Sequence, residues 1–378
     1  MPDIEMFAEE VRQQINYAKM LVREERVDEA LRLIAEIEEK ARPHYDELPA
    51  SIVYLIPFVR GRAYLQIKQP SLAQAELEAA LKLSGSDLEG QARVQNLLGV
   101  AFSQQEQPYL ALQCHLSSVR AIMEGRVMDF NLRINVYRNL ATDYWALNSF
   151  SDAINVYKEA LHVLKDLNEP QQQADIFWGL ALAYKAQGKG RYARLYIARA
   201  LQVYQSTGSR SAEAAMHINF AEILIEEGQI GNAANSLDQA RELLSGTDNH
   251  GLLSFLHRYY ADIARKEKKL DQALWHCGES MKHAETLLQG AHTPGTHVWV
   301  DPVRTYAESL HAAALVQEAM GNSQAADLLF TKALDELGPT TLEEERRSIH
   351  LSYVAVLEAR GDYERAVDHY KAIMPPST

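Results

Sequence analysis

Side chains able to do chemistry are scarce in this sequence, and most are badly spaced for it. His276, Cys277 and His283 place a thiol and two imidazoles within two helical turns. A reactive thiolate needs an electropositive, part-exposed setting. Cys277 instead falls four residues after Ala273, on the same helical face, and reads as a buried structural thiol. His292 and His297 flank Pro294-Gly295 with no further donor at chelating spacing. His250 and His257, seven apart on one face, are too distant to share an ion unaided. No phosphate loop, nucleophile elbow or Cys-x-x-Cys pair occurs. The expectation is a non-catalytic protein with no resident metal or cofactor. An enzyme built on residues 289–302 is the minor alternative.

The bulk properties narrow the classes further. Among 378 residues, 38 Lys and Arg face 51 Asp and Glu, a net charge of −13. Nucleic-acid phosphates call for surplus cations, so direct binding to DNA or RNA is not expected. Hydrophobic residues at 47% and charged ones at 24% supply ample core and exclude a disordered chain. Two cysteines, Cys114 and Cys277, are too few for a disulfide framework and point to a reducing cytoplasm. No apolar run approaches the roughly 20 residues that span a bilayer. The opening MPDIEMFAEEVRQQ is acidic and polar, unlike a secretory or mitochondrial leader.

Any binding surface must therefore come from the elements, and these repeat. One alanine recurs at a fixed place in nine apolar-periodic helix pairs: Ala30, Ala73, Ala111, Ala153, Ala193, Ala233, Ala273, Ala326 and Ala366. Twelve residues earlier stand Ala18, Gly61, Gly99, Ala141, Ala181, Ala221, Ala261, Ala314 and Val354. Seven later come Ile37, Ala80, Ser118, Ala160, Ala200, Ala240, Ser280, Ala333 and Ile373. Two antiparallel helices approach closely only where side chains are small, so these columns mark helix crossings. Turn residues such as Asn148-Ser149, Gly188-Lys189-Gly190, Gly228, Gly321-Asn322 and Gly361-Asp362 separate the helices within pairs.

The segments WGLALAYKAQGKGRYARLYIARAL (178–201) and NLATDYWALNSFSDAINVYKEAL (139–161) resemble tetratricopeptide repeats. The signature trio is matched by Ala181, Ala193 and Ala200 in the first, and by Ala141, Ala153 and Ala160 in the second. Tyr184 and Tyr144 match the aromatic between the first two positions. Val354 and Ile373 depart from the pattern, and helix-ending prolines are mostly missing. The resemblance implies an all-α, right-handed superhelical solenoid of about nine antiparallel helix pairs. Successive first positions are 43, 38, 42, 40, 40, 40, 53 and 40 residues apart, longer than the roughly 34 of the standard repeat. This long repeat is similar to that of bacterial peptide-pheromone receptors and the sensor regions of transcriptional activators. The 53-residue interval predicts an inserted loop at 289–303, dividing an array of seven pairs at 1–288 from two pairs at 304–378 of the same solenoid.

In such arrays the first helix of each pair lines a concave groove that takes extended peptides. The repeat register then offers Arg62, Asn96, Asn135, Arg138, Asn139, Trp145, Trp178, Lys185, Glu222, Arg258, Asp262 and Arg265 as groove residues. The asparagines suit a peptide backbone and the tryptophans an apolar anchor, or alternatively the space between neighbouring pairs. Lys189, Arg191, Arg194 and Arg199 continue from Lys185 as a basic run without an intervening acid; a second runs from Arg258 and Arg265 through Lys266, Lys268 and Lys269. An acidic peptide, a C-terminal carboxylate or an acidic protein face would suit both, although ordinary solvated surface charge is the plainer account. No basic recognition helix precedes the first pair. Ile349, Tyr353 and Val356 of the last pair are expected to face an uncovered end, which predicts a homodimer or docked subunit there. The resulting expectation is a cytoplasmic regulatory module that senses a peptide or protein, the alternative being a passive assembly scaffold.

Overall fold

The fold was obtained as a computed structural model, and residues 4–165, 167–290, 300–338 and 343–374 are described. Most of the expected insertion, with His292 and His297, lies outside them. The described residues are helical with no strand, and none of their helices is long and apolar enough to cross a membrane.

Each turn within a helix pair is built around one residue in the left-handed region. These are Glu25, Lys68, Glu106, Asn148, Gly188, Gly228, Lys268, Gly321 and Gly361, with φ between 55° and 80°. Every one stands five residues before the repeat's fixed alanine. A left-handed residue of this kind ends the first helix of each pair. Glycine takes this conformation without penalty, whereas the Cβ of Glu25, Lys68, Glu106 or Lys268 is crowded there. Helix starts are fixed by proline in the first turn at Pro70, Pro108, Pro170 and Pro302. The Asp87, Asp129 and Asn249 side chains accept backbone N–H groups at other starts, and Asp301 does so ahead of Pro302.

The chain divides into two compact units, 1–189 and 190–378, meeting in the turn of the fifth pair. In the first unit α1 (Ile4–Arg23) pairs with α2 (Val27–Ala41). The short α3 (Ala50–Val53) leads into α4 (Leu55–Gln66), which pairs with α5 (Pro70–Leu83). Then α6 (Leu88–Gln104) pairs with α7 (Pro108–Glu124) and α8 (Phe130–Ala146) with α9 (Phe150–Leu164), before α10 (Pro170–Ala186) packs on α9. In the second unit α11 (Gly190–Thr207) packs on α12 (Arg210–Glu226), which pairs with α13 (Ile230–Leu244). The pairs α14 (His250–Lys266) with α15 (Leu270–Leu288), α16 (Pro302–Ala319) with α17 (Ser323–Leu337), and α18 (Glu343–Arg360) with α19 (Tyr363–Ala372) follow. Helices α15 and α16, which flank residues 289–301, pack directly on one another.

All nine fixed-register alanines are at most 2% exposed, as helix crossings require. Gly61 and Gly99 show why glycine replaces alanine twice in the first column. A Cβ at Gly61 would lie 2.7 Å from Leu77 Cγ, and one at Gly99 would lie 2.4 Å from His115 Nε2. Leu77 and His115 each follow the fixed alanine by four, so a bulky side chain there presses directly into the crossing. The core of the first unit gathers Ile15, Ile34, Ile56 and Leu77; that of the last pairs gathers Leu310, Phe330 and Tyr353. Ile349 and Tyr353 are buried rather than facing an open end, because α17 supplies Phe330, stacked on Tyr353 at 4.3 Å. Val356 is partly buried against the same cluster. The exposed apolar residues of this pair are Leu351, Tyr363, Val367 and Tyr370.

Candidate functional site: a basic cavity and a charged pocket

In the first unit, α1, α4 and α6 enclose a cavity of about 600 Å³ whose lining includes Arg12, Lys19, Arg23, Arg62 and Arg93. Two of these cations are occupied: Arg93 is held by Glu89 and Asp129 at 2.6 Å each, and Arg12 lies 4.0 Å from Glu9. Of the lining acids, Asp87 caps α6 by accepting the Gly90 N–H. Lys19, Arg23 and Arg62 have no hydrogen-bonding or ion-pair partner among the described residues. Burial pushes the Lys19 ammonium down to about 8, and Arg93, Arg62, Arg23 and Arg12 push it the same way. Burial and then Arg23 likewise lower Arg62. Like charges held together at this energetic disadvantage are relieved by an anion. The tyrosine and phenylalanine at 54 and 58 add an aromatic wall, their rings edge-to-face at 6.0 Å.

Only Arg62 of this group was among the groove residues offered by the repeat register. The signal for Lys19 was present, since it stands one residue after Ala18 as Arg62 stands one after Gly61. Arg12 and Arg23 carry no such mark, because their roles depend on how α1 packs against α4.

Beyond the cavity, the first unit ties its amides into a buried network. The His115 Nε2–H donates to the Asn96 carbonyl at 3.1 Å, and its Nδ1 meets the Asp143 carboxyl. Burial raises Asp143 above the ordinary carboxylate range, against the lowering influence of His115. Asn139 donates to Asn96 Oδ1 at 3.0 Å, leaving Asn96 8% exposed. Asn135 is exposed and accepts from Arg138 at 3.2 Å. Trp145 is exposed, edge-to-face with Phe150 at 6.3 Å. Trp178 is half-buried, and its Nε1–H has no partner among the described residues. Lys185 is half-buried on α10, and Lys189 is exposed.

The second unit brings Arg258, Asp262 and Arg265 together in a pocket of about 200 Å³ with Tyr259, Glu308 and His311. Its charges are mutually satisfied. Arg258 pairs with Glu308 at 3.1 Å and stacks over the Tyr259 ring at 4.6 Å; Arg265 pairs with Asp262 at 2.5 Å. Burial opposes charge on Arg258, yet Glu308, Tyr259 and Glu222 outweigh it and keep the guanidinium charged. Glu222 is engaged with Tyr259. Burial pushes His311 down to about 4. Of the basic run, Arg194 is paired with Glu227 at 2.8 Å, Arg199 lies over the Tyr196 ring at 5.3 Å, and Arg191 is exposed. The second basic run is also partly neutralised, with Lys269 at 2.7 Å from Glu267. Cys277 is fully buried, and burial pushes its thiol up to about 12, far from a reactive thiolate.

Against known proteins, residues 129–282 match the model of the soluble NSF attachment protein family, SNAP. No curated protein matches the chain by sequence. The apo form of RapI superposes with a TM-score of 0.71 at 12% identity, covering 96% of each chain. The apo form of the quorum sensor NprR from B. thuringiensis gives 0.65 at 14%, covering 97% of this chain and 98% of that one; in complex with its cognate peptide NprX, NprR gives 0.54. The STAND protein PH0952 from Pyrococcus horikoshii, with its tetratricopeptide repeat sensor, gives 0.61 at 15%, covering 90% of this chain and 50% of that one. At these identities the likeness is one of fold. The chain has the all-α, paired-helix architecture of tetratricopeptide-type solenoids, similar over nearly its whole length to RapI and NprR.

Proposed function

We propose that this chain is a non-catalytic peptide- or protein-binding module of the regulatory sensor kind, and that an acidic segment or C-terminal carboxylate of its ligand seats in the cavity of α1, α4 and α6. The observation that carries the reading is the set Lys19, Arg23 and Arg62: three cations unpaired among the described residues, in one cavity of a protein with net charge −13. Carboxylates take arginine through paired, charge-assisted hydrogen bonds, which suits Arg23 and Arg62. A bound peptide for NprR supports the same use of a similar fold. The exposed Trp145 and half-buried Trp178 are the anchors we assign to the ligand's apolar part. The exposed Lys189 and Arg191 each offer a cation to an acidic partner.

The test is fluorescence anisotropy with labelled short acidic peptides, each with a free or an amidated C-terminus. Binding is expected to weaken at least tenfold in Arg62→Ala and Lys19→Met, with unchanged circular dichroism, and to weaken steeply with salt. Equal binding by wild type and both variants, or none by wild type, refutes the reading. A passive scaffold is the second reading, favoured by the exposed Tyr363, Val367 and Tyr370 on α19, where a homodimer contact would form. A sensor gains unfolding free energy with ligand concentration; a scaffold without a signal ligand does not.

A further inference from the structure

Five titratable side chains converge on the pair α14–α15, away from any use made of them above. His250 and His257 stand seven residues apart on α14, and His276, Glu279 and His283 stand at intervals of three and four on α15. Such spacings put each set on one helical face. Packing α14 against α15 sets the two faces together. His250 Nδ1 lies 2.9 Å from His283 Nδ1, and His257 Nδ1 lies 3.0 Å from His276 Nδ1. His257, Glu279 and His283 each offer one ligand atom, and the three atoms lie within 4.8 Å of one another.

The paired contacts decide which nitrogens are free. Between two ring nitrogens at hydrogen-bonding distance only one proton fits, so one nitrogen donates and the other accepts. With Nδ1 of His257 and of His283 engaged this way, each ring has Nε2 left for a cation. A ligating histidine commonly donates its second N–H to a neighbour that fixes its tautomer, and His276 and His250 are placed to be those neighbours. Two imidazoles and a carboxylate form a donor set for a divalent first-row transition metal rather than for calcium or magnesium.

We propose that His257, His283 and Glu279 bind one zinc-class divalent cation, with His276 and His250 orienting the two imidazole ligands. At zinc bond lengths of about 2.0–2.1 Å, tetrahedral ligand atoms sit about 3.3 Å apart. One ring nitrogen of each histidine and a Glu279 oxygen, already within 4.8 Å of one another, would close by about 1.5 Å at most to reach that spacing. The competing contact of Glu279 is a loose one, 3.8 Å to the largely exposed Lys282. A fourth position is left to water. Bound metal would clip α14 to α15 near the middle of the pair, independently of what the basic cavity takes.

Calorimetric titration of the tag-free, metal-stripped chain with Zn²⁺, and visible absorption with Co²⁺, tests the site. One equivalent is expected, with the intense Co²⁺ bands of a low-symmetry, four-coordinate centre. Glu279→Gln keeps the side chain's shape and should weaken affinity at least tenfold; His283→Ala should abolish binding. Circular dichroism of each variant separates a lost ligand from a lost fold, and Glu279→Gln remains decisive if His283→Ala unfolds. His350 and His369 make a similar contact at 2.8 Å without a third ligand atom among the described residues, so His350→Gln should leave binding unchanged. No zinc heat from folded wild type, or stoichiometric binding indifferent to Glu279→Gln and His283→Ala, overturns the assignment.

Discussion

Replacing Gly99 by alanine tests the crossing geometry at its tightest point. The added Cβ would lie 2.4–2.7 Å from three atoms of the His115 ring, where ordinary contact begins at 3.4 Å. The ring must retreat by about 1 Å, but it is fully enclosed and held on both sides, by the Asn96 carbonyl and the Asp143 carboxyl. Overpacking a close-fitted crossing costs about 1–3 kcal/mol. Breaking a hydrogen bond to a charged group costs about 1.5–3 kcal/mol more. The sum, about 4 kcal/mol, corresponds to about 8–16 °C in melting temperature for a unit of this size. Urea denaturation followed by far-UV circular dichroism measures it. Gly278→Ala on α15 is the control: a Cβ there meets nothing within 4 Å, so helix propensity alone should stabilise by about 1 kcal/mol. A loss under 1 kcal/mol for Gly99→Ala would show that His115 is not pinned, and the account of the first small column would fall with it.

Four further outcomes are expected. Lys68→Gly relieves a side chain at φ 55° and should stabilise by about 1 kcal/mol; an unchanged urea midpoint would remove the left-handed turn from the energetics. Ala233→Leu overpacks a fully buried crossing and should destabilise by about 1–3 kcal/mol, and an unaltered melting temperature would contradict the repeat register. His311, with its ordinary value of 6.5 pushed down to about 4, stays neutral in the folded chain over a range where the unfolded chain takes up a proton. Its share of stability is therefore complete above pH 6.5, falls as pH drops towards about 4 and then levels off; a His311→Gln variant with the wild-type pH profile of unfolding would contradict this. Trp178→Phe removes an N–H that is buried without a partner among the described residues, so folding should suffer little while ligand binding weakens; a comparable loss in both, by urea midpoint and peptide affinity, would place the ring purely between helices.

The architecture was legible because packing leaves a periodic trace. Alanine at one fixed place in nine helix pairs has a single cause, the close crossing of two helices, and the burial of all nine bears that out. The basic cavity left a fainter trace. Lys19 and Arg62 share a register position, yet Arg23 and Arg12 join them only through the packing of α1 against α4. Charge counting along the chain picked out the run from Arg258 to Lys269, where partners distant in sequence, such as Glu308, neutralise the positive charge. His250 and His257 are too far apart to share an ion when α14 is considered alone. Antiparallel pairing gives them the histidines of α15 as neighbours, with His250 against His283 and His257 against His276.

The invariance of the turns reaches beyond stability. From the first small residue to the fixed alanine is always twelve positions, with the left-handed residue five before that alanine, while all variation in repeat length falls between pairs. One residue inserted into a turn would rotate the second helix by about 100° and carry its alanine away from the crossing. Residues added between pairs leave every crossing in register. The pair is thus the quantum of change for this chain: whole pairs can be deleted, duplicated or transplanted by cutting between them, without redesigning a helix contact inside any pair.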